Sequence, residues 1–171
     1  MTDRPSNVLY VIVCAAESAA QIGELVGLAQ GRGWTVQIVA TPSALHFIDV
    51  PALEQQTGRS VRSQYRRPTD PKPPRADAFI VAPATFNTIN QFAAGIADTY
   101  ALGLLAEAPG LGIPVVIVPV VNPALAARTP FRRAVESLRA EGVHILPSSD
   151  PPSWSSAVTT LDGIARDDAP I

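Results

Sequence analysis

Cysteine is almost missing from this chain. Its 171 residues include one, Cys14, which excludes an intrachain disulfide and a cysteine-rich metal site. Histidine is scarce as well. His46 and His144 lie far apart, and no Ser-His-Asp spacing or metal cluster can be assembled around them. Charge is low: Asp, Glu, Lys and Arg make up 16%, and the formal net charge is −2. No overall basic excess points to nucleic acid or an anionic membrane. Long apolar runs are missing too. The run Val8 to Ala16 is too short to cross a bilayer, and the polar stretch Met1 to Asn7 before it has no basic leader. The expectation is a cytoplasmic protein.

What is present is apolar residue, 47% of the chain, enough for one domain with a full core. We expect a single domain over residues 1–171, with its core over about 7–147 and a C-terminal loop and helix at 148–171. The low charged fraction also leaves room for a buried oligomer interface. No internal repeat is visible.

The apolar spacing predicts an alternation of strands and helices. Val8 to Val13 reads as a buried strand, followed by a turn at Cys14 to Ser18. A helix then places Ile22, Leu25, Val26 and Ala29 on one face and ends at Gly31 or Gly33. Trp34 to Ala40 is the second strand, so the opening β-α-β unit implies a right-handed crossover and a parallel sheet. Short helical turns follow at Thr41 to Phe47 and Pro51 to Gln56. From Arg59 to Arg75, several cations and Pro68, Pro71, Pro73 and Pro74 read as a mobile or extended surface loop.

The third strand is Ala78 to Ala82, where Pro83 is expected to stop ladder pairing. A helix through Ile89, Phe92 and Ala93 comes next, then a helical segment from Ala97 to Glu107. Pro114 to Pro119 is the fourth strand. Thr129-Pro130 should open a helix as cap and first residue, with Phe131, Ala134, Val135 and Leu138 inward. Val143 to Leu146 makes a fifth, edge strand, and Ser155 to Ile164 a last helix. Five strands in the order 2-1-3-4-5, with helices on both faces, make a three-layer flavodoxin-like α/β fold. Its topological switch lies between the first and third strands, and ligands bind there, outside the carboxyl ends.

Thr85, Asn87 and Thr88 fall where the third strand gives way to a helix, the place where free N–H groups and a positive dipole end meet an anion. One of them could simply cap the helix, but a cap needs one such residue and three crowd this turn. Thr41 and Ser43 also divide between two readings, capping of their own short helix or further hydroxyls for a ligand.

Pro83-Ala84-Thr85-Phe86-Asn87-Thr88, followed by Gly95-Ile96-Ala97-Asp98, resembles the P-A/L-S/T-x-N-T … G-x-A/C-D signature of the homo-oligomeric flavin-containing cysteine decarboxylases. That family includes phosphopantothenoylcysteine decarboxylase and the peptidyl-cysteine decarboxylases of lantibiotic pathways. Thr41 to Ile48 resembles its T-x-S/A-A-x-x-F segment, and Pro119-Val120-Val121-Asn122 the start of its P-x-M-N-x-x-M-W motif. The three stretches stand in the family's order over roughly residues 7–147. The resemblance implies FMN as cofactor, held by Thr85, Phe86, Asn87, Thr88 and Asp98, by Thr41 and Ser43, and by the first turn at Ala15, Ala16 and Ser18. It implies a thiol substrate, small or peptidic, whose carboxylate Asn122 would bind; the alternative is that Asn122 caps the next helix. It also implies a homo-oligomer, a trimer or an assembly of trimers such as a homododecamer, with neither nucleic acid nor membrane as partner.

The sequence departs from that pattern in four places. The family's first turn carries Gly or Ser where this chain has Ala15-Ala16-Glu17, and Glu17 would repel a phosphate if it pointed inward. The family's catalytic histidine, in an H-x-E-L segment before the third strand, has no counterpart in Gln64 to Asp70. His46 falls where the family often has a structural residue, and His144 lies in an apolar strand. Pro123-Ala124-Leu125-Ala126 replaces the x-x-M-W part. The late cysteine of the coenzyme A branch is absent, and Cys14, at a strand end, reads as a small buried thiol. The expected activity is therefore oxidative decarboxylation of a C-terminal cysteine. A non-catalytic flavin-binding partner subunit, or a flavoprotein with another redox reaction, is the alternative.

Overall fold

The computed structural model describes residues 7–167; the polar start at 1–6 and the last residues, 168–171, lie outside the described residues. The strands are β1 (Val8–Val13), β2 (Thr35–Ala40), β3 (Ala78–Ala84), β4 (Val115–Pro119) and β5 (His144–Ile145). They form one sheet in the order β2-β1-β3-β4-β5, the order expected from the sequence. Each neighbouring pair is parallel. All six residues of β1 are buried, as are all seven of β3. A strand covered on both faces has no use for polar alternation, which is why these segments read as continuous apolar runs.

Seven α-helices flank the sheet among the described residues: α1 (Ile22–Gly31), α2 (Val50–Thr57), α3 (Phe86–Ala93), α4 (Tyr100–Glu107), α5 (Pro123–Ala126), α6 (Thr129–Ala140) and α7 (Trp154–Asp167). Two 3-10 turns, Glu17–Gln21 and Pro42–His46, open the segments after β1 and β2. On one face, Ile22, Leu25 and Leu53 join Trp154, Val158 and Leu161 against Val11, Ile38 and Ile80. On the other, Ile89, Phe92, Leu105, Phe131 and Leu138 cover Ile12, Phe79 and Ile117. The final helix α7 is thus part of the core layer beside α1.

The second face is closed over β1 and β2 by an extended strap, residues 59–75, in place of a helix. Arg62 bridges to Val39 in parallel, its N–H donating to the Ile38 carbonyl (3.0 Å) and its carbonyl accepting from Ala40 (2.7 Å). Gln37, buried on β2, donates to the Ser60 carbonyl at 2.9 Å. Tyr65 packs edge-on against Tyr100 with ring centroids 5.2 Å apart, over Gly103, where a methyl group would collide with its hydroxyl. The Tyr10 hydroxyl donates to the Pro74 carbonyl at 2.6 Å. The sequence signalled the extension of this segment but not its anchors, because each anchor is a long-range pairing with no local period.

Several element boundaries differ from expectation, most by one residue, and four carry a physical reason. β3 runs through Pro83 to Ala84. Proline lacks only the donor, and its carbonyl still accepts from Cys14 N–H at 3.1 Å, while a bulge after Val81 brings Ala84 opposite Pro119. α4 starts at Tyr100 rather than Ala97, because the Thr99 hydroxyl caps it (3.2 Å to the Leu102 N–H). Thr129 is the first helical residue of α6 rather than its cap, a position taken by Arg128. β5 shortens to His144–Ile145, with His144 exposed on the sheet edge.

Candidate cofactor site

The sheet brings the loops after β1, β2 and β3 together at the switch point. The Thr41 N–H donates to the Val13 carbonyl at 2.9 Å, and Cys14 is tied to Pro83 as described. Three chain segments distant in sequence therefore meet around the start of α3.

That start is built by Thr85. Its backbone is extended (φ −87°, ψ 159°), and its hydroxyl accepts the Thr88 N–H at 3.4 Å, the N-cap geometry. The same hydroxyl donates to Thr88 Oγ1 at 3.3 Å, and the Cys14 thiol donates to Thr88 Oγ1 from the other side at 3.3 Å. Thr88 is 6% exposed. Its hydroxyl accepts twice and keeps its own proton to give. Asn87 is exposed, and its amide takes no hydrogen bond from the described residues. The N–H groups of Phe86 and Asn87, in the first turn, are open for the usual geometric reason. The capping reading and the ligand reading thus separate: Thr85 caps, and Asn87 and the first-turn N–H groups remain for an anion.

Two hollows open here and share Ala15, Thr85 and Asn87. The first, about 440 Å³, is lined by Thr41, Ser43, Thr88 and Asp98, together with Gln91, Thr99 and Leu102. The second, about 720 Å³, is lined by Ala16, Phe86, Asn122 and the loop Ser148-Ser149-Asp150. Ser18 reaches neither; it lines a separate depression with Glu17, Glu24 and Trp154, so Glu17 also points away from both. His46 and His144 line neither hollow. Asn122 lines the second hollow and caps the helix that follows it. Its Oδ1 caps α5 by accepting the Leu125 N–H at 2.9 Å, which leaves the two amide hydrogens free to donate.

Residues 148–150 escaped the sequence reading, although they follow a strand end as the other loops do. Ser148 fastens this loop to the one after β4, accepting the Val121 N–H at 3.2 Å and donating to the Val121 carbonyl. The signal was topological: every loop at the carboxyl end of the sheet is a candidate wall. Cys14 is buried, and burial pushes its thiol pKa up, against a smaller lowering from the hydrogen bonds to Thr88 and Thr85. It lines neither hollow and supports the site from beneath, through its hydrogen bond to Thr88.

A doubly wound parallel sheet with a donor-rich hollow at its switch point defines a nucleotide- or flavin-type binding fold. Residues 2–165 match the family described as Flavoprotein, and the chain belongs to that family. No curated protein matches the sequence. Among solved structures, the chain is similar to the FMN-dependent cysteine decarboxylase SpaF, at 26% identity and TM-score 0.72, covering 94% of this chain and 98% of that one. It is also similar to TvaF, an FMN-dependent cysteine decarboxylase from thioviridamide biosynthesis, at 26% identity and TM-score 0.78, covering 94% and 99%. A mutant of PPC decarboxylase complexed with pantothenoylaminoethenethiol shares the fold at 19% identity and TM-score 0.78, covering 94% and 98%.

Proposed function

We propose that the chain binds FMN at the switch-point hollows and catalyses the oxidative decarboxylation of a C-terminal cysteine, in a peptide or a related thiol. The observation that carries this reading is the open first turn of α3, with the exposed Asn87 amide and the Thr88 hydroxyl lining one hollow together with Thr41 and Ser43. A phosphate dianion needs several converging donors and no lysine when a helix start supplies them. FMN dependence in SpaF and TvaF, at 26% identity, supports the choice of cofactor.

When bound, FMN supplies a two-electron oxidation of the thiol-bearing carbon. Loss of CO₂ would then follow from the neighbouring carbon, because the pair of the breaking C–C bond forms a C=C bond to the oxidised carbon and the C=S pair moves onto sulfur. The chain's own part is orientation. The first-turn N–H groups with Asn87 and Thr88 would hold the anionic end, while Asn122, whose amide hydrogens are free, lines the second hollow, where a substrate carboxylate would sit. Phe86, stacked on Phe131 at 5.7 Å, walls that hollow with an apolar face. We further propose a homo-oligomer, a trimer or an assembly of trimers, completing the site.

The second reading is a flavin-binding subunit without catalysis of its own. It is favoured by one feature: segment 64–70 offers no histidine, and its aromatic residue, Tyr65, packs onto α4 instead of either hollow. Purified protein incubated with FMN and a cysteine-ended peptide separates the two. Loss of CO₂ together with two hydrogens from the peptide is the expected mass change. Tight FMN binding with no mass change supports the second reading, and absence of FMN binding at tens of micromolar overturns both.

A further inference from the structure

Positive charge is concentrated away from the hollows. Six of the chain's 13 Lys and Arg, and one of its 15 acids, fall within residues 59–75. The strap therefore carries +5 and the remaining chain −7. None of its residues lines either hollow. Among the described residues the ion pair shown is Arg32–Asp162, and no strap cation is in one.

This charge is mounted rigidly. The strap is fixed at Arg62 on β2, at Tyr65 on Tyr100 and at Pro74 on Tyr10. Between the last two anchors, Arg66 Nη1 donates to the carbonyls of Arg67, Pro68 and Asp70, and Asp70 accepts the Arg67 N–H at 2.8 Å. That closed turn spends Arg66 and Asp70 on local structure and leaves Arg67, Lys72 and Arg75 exposed. Four prolines limit the freedom that binding would otherwise remove. Arg62 is engaged beneath the strap, its guanidinium 5.4 Å from the centre of the Tyr100 ring, so the cations left for a partner are the exposed ones.

We propose that the strap is a docking surface for a short acidic segment of polypeptide. The sign of the charge selects an anion, and the distribution selects its size. Screening confines each charge to about 8–10 Å at ordinary salt. A short ligand on the strap meets chiefly the exposed Arg67, Lys72 and Arg75, whereas an extended polyanion or a membrane surface also meets the net −7 of the rest. Extended backbone presenting arginines suits carboxylates, which pair with the guanidinium fork.

The test is fluorescence anisotropy with the full chain and a short labelled Glu-rich peptide. Its Gln counterpart, a single-stranded RNA of equal charge and phosphatidylserine vesicles serve as comparisons, at low and high salt. The Glu peptide should bind, the Gln peptide should not, and affinity should fall steeply with salt. The combined variant Arg67→Gln, Lys72→Gln, Arg75→Gln should bind about tenfold more weakly, with melting temperature and FMN binding unchanged. Equal binding of the Glu and Gln peptides overturns the proposal. So does full affinity in the variant, or tighter binding of RNA or vesicles than of the peptide.

Discussion

Asn87 and Thr88 stand side by side at the start of α3 yet do different physical work. Asn87 is exposed and bonds to none of the described residues, so its removal touches no protein contact. Thr88 is buried and is the acceptor for both Cys14 and Thr85. Asn87→Ala should leave stability within about 0.5 kcal/mol and weaken FMN about tenfold, roughly 1.4 kcal/mol for one hydrogen bond to a charged group. Thr88→Val keeps the shape but strands the Cys14 S–H, and should cost about 1 kcal/mol of stability as well as FMN affinity. Urea unfolding without FMN, paired with calorimetric FMN titration, separates the two effects. If Asn87→Ala binds FMN as wild type does, the donor role of that amide is wrong. Riboflavin should bind more weakly than FMN at this site, since the proposed donors meet the phosphate.

At the scale of elements, what could be read from the sequence divides along the range of the interaction. The sheet order and the α3 start were legible because apolar runs and a polar triplet at a strand end are local signals. The Thr99 cap and the passage of β3 through Pro83 were less so, since they depend on which partner each backbone group finds. The strap and the wall at residues 148–150 were not, because their anchors are hydrogen bonds between residues far apart in the chain, such as Ser148–Val121, 27 residues apart, and Tyr10–Pro74, 64 apart. The last of these makes a pH prediction. Burial pushes the Tyr10 phenol up to about 12, with the Tyr100 ring adding to it and Arg62 and Arg59 opposing. A raised folded-state value means the native state holds the proton more tightly. The contribution is fully present below the unfolded value near pH 10 and is lost as pH rises through about 12, on the order of 2 kcal/mol. Tyr10→Phe should flatten the stability profile across that window. It should also cost about 1 kcal/mol at pH 8 through the lost bond to Pro74. Denaturant midpoints at pH 8 and pH 11 measure both, and an unchanged slope in the variant would remove Tyr10 as the source.

For the molecule as a whole, the telling feature is the exposed apolar residues that neighbour the first hollow's lining in the chain. Ser43 lines it, and the chain then runs directly into Leu45 and Phe47, 37% and 42% exposed. Asp98 also lines it, two residues after Ile96, 43% exposed. Single exposed apolar residues are ordinary; three of them within a few residues of one polar hollow's lining suit a surface that another chain covers. A second copy seated there would bury these residues and remove bound FMN from water together, which couples assembly to cofactor binding. Phe47→Glu with Ile96→Glu should therefore shift light scattering from an oligomer toward the monomer at micromolar concentration. The same variant should weaken FMN although neither substitution removes a proposed donor. Linkage fixes the sign: FMN at about 100 times its Kd stabilises the binding-competent state by roughly 2.7 kcal/mol, so added FMN should partly restore the oligomer in the variant. A wild-type chain that is monomeric with FMN bound would show that the hollow is complete within one copy and that these apolar residues face solvent in the working protein.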